Sequence, residues 1–140
     1  MQPQSLNARL AEMARANRAL IHRAQRTDCH CPSAVLNLGA SVASHSTQAS
    51  SLFELNRLLD EAVLDELLAE RRSLADDLDL LESLSEASPK SPDIEPLATA
   101  ILGRIEKLLE REDRVFYQPL LRVAEKQAEN HDSLSGKPSR

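Results

Sequence analysis

The sequence predicts an all-α protein organised around a long antiparallel helical hairpin, and three observations carry that expectation. Aromatic residues make up 2% of the 140 residues and glycine occurs only 3 times, so the core must be Leu, Ile and Ala, a composition that favours helix. A leucine stripe runs Leu52, Leu55, Leu59, Val63, Leu67, Leu74, Leu78, Leu81 and Leu84. A second stripe runs Ile94, Leu97, Ile101, Ile105, Leu108, Glu112, Val115 or Phe116 and then Pro119. Both keep the helical period of about 3.6 residues, so each set shares one helix face.

Taken in order, residues 1–26 read as a basic amphipathic helix. Ser5 stands where a cap belongs, with Leu6, Leu10, Met13, Leu20 and Ala24 on one side and arginines around the others. Its thin apolar face suggests a solvated helix docked loosely on the rest. Glu12 and the missing apolar core argue against a targeting peptide. Residues 27–50 read as a Ser/Ala-rich linker. Cys29-His30-Cys31 brings soft-metal donors together, but three adjacent residues do not close a tetrahedral site and the usual Cys-x-x-Cys spacing is missing. Two reduced thiols in a loop are the expected state.

Residues 51–127 form the hairpin domain. Nothing between Ser51 and Ala87 is Gly or Pro, so one continuous helix is expected. The loop falls in Ser85 to Pro92, rich in Pro and Ser. Asp93 caps the next helix, with Pro96 tolerated in its first turn. Gly103 either weakens that helix or lets a neighbour come close. Pro119 lacks the N–H for the Val115 carbonyl, so a kink or an end is expected there. Residues 128–140 read as a disordered tail.

Each stripe holds one charged residue. Arg71 fills the gap between Leu67 and Leu74, and Glu112 interrupts the second run. Pairing positions equidistant from residue 90 sets these two within about one helical turn of each other. A core-facing charge must find a partner or be neutralised, so a salt bridge between Arg71 and Glu112 is expected.

The second helix resembles the metal-binding helix of hemerythrin-like (HHE-type) domains. There a Gly-containing run leads into His-Leu-x-x-Glu-Asp-x-x-Leu-Tyr-Pro-x-Leu-Leu; here Gly103 is followed by LLEREDRVFYQPLL from Leu108 to Leu121. The first helix has Glu70-Arg71-Arg72-Ser73-Leu74 where that family opens with Glu-His-Arg-x-Leu. The resemblance covers residues 67–126, about half of a four-helix domain of this kind, and implies an up-and-down bundle completed by the N-terminal helix or by dimerisation. In the family the two histidines and the Glu help hold a di-iron centre. Arg71 and Leu108 stand at those histidine positions, and neither side chain can donate a lone pair to iron.

The function expected is therefore a metal-free, hemerythrin-like interaction or regulatory module without enzyme activity or cofactor. Its half-covered stripe, including Leu67, Leu74, Leu78, Ile105, Leu108, Phe116 and Tyr117, is the surface a protein partner or a second copy would bury. One alternative is iron or oxygen binding with Glu112, Asp113, Glu70 or His22 as makeshift ligands. Another is a helical secretion chaperone or adaptor. The four histidines, at 22, 30, 45 and 131, fall outside the facing stripes of the hairpin. A net charge of −5 disfavours a general nucleic-acid binder. No apolar run is long enough for a membrane span, and the expected location is the cytoplasm.

Overall fold

A computed structural model describes residues 6–55, 61–123 and 125–126. Four helices make an up-and-down bundle: α1 (Leu6–Gln25), α2 (Pro32–Leu55), α3 (Glu61–Ala87) and α4 (Ile94–Glu112), the last running into a π-helical turn at Asp113–Tyr117. No strand occurs among the described residues. Ser5, Leu59 of the first leucine stripe and the tail at 128–140 lie outside them.

Arg23 of α1 meets Ser41 of α2, and Arg71 of α3 reaches the Ser46 carbonyl of α2. Asn17 of α1 bonds the Leu109 carbonyl of α4. These contacts set α1 and α3 at opposite corners, each packed between α2 and α4.

The bundle closes within one chain, which corrects two expectations. Residues 27–50 are not a linker: all but the turn at 27–31 belong to α2, whose Val35 and Leu38 are fully buried and whose Val42 is nearly so. The helix expected to run unbroken from Ser51 is two helices. Residues 51–55 end α2, α3 begins at Glu61, and the two pack side by side. Residues 56–60, which connect them, lie outside the described residues. From Glu61 onward α3 is continuous through Arg72 and Ser73.

Nor is α1 loosely docked. Leu10, Ala14, Asn17 and Ala24 are buried along one face, the spacing of a helix seated in a core. Two core clusters result. The larger joins Val35, Leu38, Leu67, Leu81, Ile101 and Ile105 with their neighbours, and the smaller joins Leu10, Ala14, Ala49, Phe116 and Tyr117.

Local signals behave unevenly. Asp93 stands at the N-cap of α4 without a side-chain cap bond; the first turn is closed instead by the Leu97 N–H on the Asp93 carbonyl. Gly103 faces open space, while a Cβ on Gly39 of α2 would meet Leu78 Cδ2 at 2.5 Å. The close helix approach is therefore at Gly39. Pro119 does not end the helix: the ladder widens before it, with the Gln118 N–H bonding the Asp113 carbonyl, and helix continues over 118–123. A π turn adds one residue to the turn, and it lets the consecutive Phe116 and Tyr117 both be fully buried, edge to face at 4.8 Å between ring centroids.

Candidate functional site

The chemistry of the bundle is gathered where all four helices meet. Arg71 Nε and Nη2 donate to Glu112 Oε1 and Oε2, each at 2.8 Å. Arg71 Nη1 also donates to the Ser46 carbonyl at 3.3 Å. The Arg71 side chain is 10% exposed and that of Glu112 1%. Two parallel bonds from a planar guanidinium are the strong form of such a pair, and burial removes most of the solvent screening.

Beside this fork lie three polar residues from the other elements. His45 of α2 and Tyr117 share a hydrogen bond of 3.1 Å between Nε2 and the phenol oxygen. Asn17 of α1 gives its Nδ2–H to the Leu109 carbonyl at 2.9 Å. Asn17 Oδ1 and His45 Nδ1 are buried and have no hydrogen-bond partner among the described residues.

Burial sets the protonation of the two rings. It pushes His45 down to about 4, with the Arg71 guanidinium adding to the effect, because a second positive charge would have no solvent there. Burial, and then the Glu112 carboxylate, raises the Tyr117 phenol well above its ordinary range. At neutral pH the site therefore holds one cation, one anion and two neutral rings. His45 is 5% exposed and lines a groove of about 580 Å³ between α1 and α2.

The depressed pKa of His45 makes stability depend on pH with a definite sign. The unfolded ring, near 6.5, takes up a proton before the folded one, near 4. Its contribution is complete above pH 6.5 and is lost as pH falls toward 4. Between pH 7 and pH 5 the wild type is expected to lose about 2 kcal/mol more than the His45→Gln variant. Urea denaturation of both proteins at the two pH values checks this, and parallel losses would mean that His45 is not neutral in the fold.

The remaining candidates from the sequence sit elsewhere. Glu70 pairs with Arg111, which also holds Glu66. Asp113 Oδ2 accepts from Gln118 at 2.7 Å, and its Oδ1 lies 3.6 Å from Arg18 Nε. Glu70, Glu112 and Asp113 thus each face a different cation or amide, and they do not converge as ligands. His22 is exposed on α1.

The proposed interaction surface is also corrected. Leu67, Leu74, Ile105, Leu108, Phe116 and Tyr117 are core residues between 0% and 4% exposed, and Leu78 is half-buried against α2. The helices α1 and α2 already cover the stripe that a partner was expected to bury. His45 was missed because only the hairpin stripes were compared, yet it continues the series Val35, Leu38, Val42, His45, Ala49 at helical spacing.

Comparison of the chain with protein-family models, with curated proteins and with solved structures finds no match.

Proposed function

We propose that this chain is a hemerythrin-like helical bundle, metal-free at the centre where that family holds its di-iron site, that acts as an interaction or regulatory module. The observation that carries the reading is the Arg71–Glu112 fork. The resemblance puts metal ligands at positions 71, 108 and 112, and here those positions hold a guanidinium, an aliphatic side chain and a carboxylate whose two oxygens are each bonded to the guanidinium. Iron does not fit this set. A cation placed there would face the fixed charge of Arg71, and Leu108 offers it no lone pair.

The bundle carries no catalysis in this reading. In the His45–Tyr117 pair at the centre the phenol is fully buried, and only the His45 ring borders the groove between α1 and α2. Recognition therefore falls to the charged exterior, and the partner is another protein rather than nucleic acid or lipid. Among the described residues no helix is long and apolar enough to cross a membrane. Both cysteines are free thiols, consistent with a reducing cytoplasm.

Expression in iron-supplemented medium tests the metal-free assignment. Purified protein without stoichiometric iron and without an oxo-bridged di-iron absorption band is the expected result; about two irons per chain would overturn it. Light scattering is expected to give the single-chain mass of 15.5 kDa, because the apolar stripe is covered from within. A doubled mass would make a second copy the partner.

A further inference from the structure

At the opposite pole from Tyr117, the turn between α1 and α2 collects a different set of groups. Thr27 N–H bonds the Ala24 carbonyl, and the Cys31 N–H bonds the Asp28 carbonyl. Asp28 Oδ1 accepts the backbone N–H of His30 at 2.9 Å. Pro32 then starts α2, a position where its missing N–H costs nothing. These bonds hold the turn in a shape the linear sequence did not announce. Asp28, Cys29 and His30 each bring one ligand atom, and all three atoms lie within 4.8 Å of one another.

A second element adds to the set. Glu95, in the first turn of α4, has Oε1 2.6 Å from His30 Nδ1. Both residues are well exposed, so the pair contributes little to stability. Its consequence is chemical: the carboxylate occupies Nδ1, which leaves Nε2 as the ring nitrogen open to a ligand. A carboxylate on the far nitrogen of an imidazole is the arrangement that orients metal-bound histidines and raises their basicity.

We propose that this turn is a binding site for a borderline-soft divalent cation of the zinc type, held by Cys29 Sγ, His30 Nε2 and the Asp28 carboxylate, with Glu95 positioning the imidazole. The donor set is one sulfur, one nitrogen and one oxygen, which suits zinc and not the hard cations magnesium or calcium. Donors around a tetrahedral zinc lie about 3.5 Å apart, as bonds of about 2.0 to 2.3 Å require. Small side-chain rotations on an exposed turn close the set to that size, and the fourth position goes to water. Cys31 Sγ hydrogen bonds with Ser33 Oγ at 3.3 Å and is not part of the set. The bound ion ties the α1–α2 turn to the start of α4 through His30 and Glu95. It is independent of the bundle centre, where the ion pair excludes metal.

The test is a zinc titration of the full chain, kept reduced, against a chromophoric chelator, with helical circular dichroism confirming that each variant is folded. One zinc per chain is expected. Cys29→Ser and His30→Ala should each weaken binding by at least about tenfold, and Glu95→Gln by about tenfold with the stoichiometry kept at one. Cobalt in place of zinc should show a thiolate charge-transfer band that Cys29→Ser abolishes. Failure of the wild type to compete with the chelator would overturn the proposal, and so would equal affinity in the wild type and a Cys29→Ser/His30→Ala double variant.

Discussion

Replacing Arg71 with Met is expected to destabilise the fold by about 3–5 kcal/mol, the cost of leaving a buried charge without its partner. Glu112 is 1% exposed, so water cannot take over the two bonds the guanidinium makes. The Ser46 carbonyl loses a donor as well. A domain of this size holds about 5–15 kcal/mol in total, and the single variant should therefore unfold at a much lower urea concentration. Replacing Glu112 with Met in the same background removes the stranded carboxylate. The double variant should regain most of the loss, or exceed the wild type, because a buried ion pair is often no better than a well-packed apolar pair. Urea denaturation of the four proteins closes the cycle. Losses that simply add would show that the two side chains do not act together.

That outcome bears on why the pair is there. If apolar side chains serve stability equally well, the fork's contribution is to place α3 against α4 in one register, since two parallel bonds tolerate little slippage. Outside the core the same two helices carry Arg104 on Asp77 and Arg111 on Glu66 and Glu70. These pairs are partly exposed and contribute little to stability, but they repeat the same alignment. One hairpin register thus satisfies the apolar stripes, the buried fork and the outer charges together.

This agreement explains what could be read from the sequence. The hairpin was legible because its period, its Pro-Ser loop and its two inward charges all point to one alignment, with Arg71 opposite Glu112. The second half of the bundle was not. Residues 32–50 hold many Ser and Ala residues and hardly any charge, so the contrast between wet and dry faces that marks an amphipathic helix is weak. The helix forms regardless, and its hydroxyls are accommodated by its own backbone: Ser41 Oγ donates to the Asn37 carbonyl and Thr47 Oγ1 to the Ala43 carbonyl. Such back-bonding gives each hydroxyl a partner within its own helix, on the exposed side of α2. The reversal between α2 and α3 was hidden for a different reason. No Gly or Pro marks it, and the leucine spacing keeps its phase across the point where the chain turns. Asn17 and His45 were invisible as site residues because each is a single polar side chain whose partner, the Leu109 carbonyl or the Tyr117 phenol, comes from a distant helix.

Leu38→Ala separates a core helix from a linker more sharply than any other substitution. Leu38 is fully buried and belongs to the larger cluster, with Val35, Leu67 and Ile101 among its members. Removing its branched end takes away apolar surface and leaves a cavity that surrounding helices fill only in part, at an expected cost of about 2–5 kcal/mol. Leu80 provides the internal control, since it is 55% exposed on α3, and Leu80→Ala should stay within about 0.5 kcal/mol of the wild type. Both variants remove the same atoms from a helix, so helix propensity largely cancels and the difference reports burial and packing. Urea denaturation with a constant slope would assign the effect to the native state, because the slope follows the surface exposed on unfolding. If Leu38→Ala were as mild as Leu80→Ala, α2 would not be part of the cooperative core. The hairpin would then have to bury its leucine face against something other than its own chain.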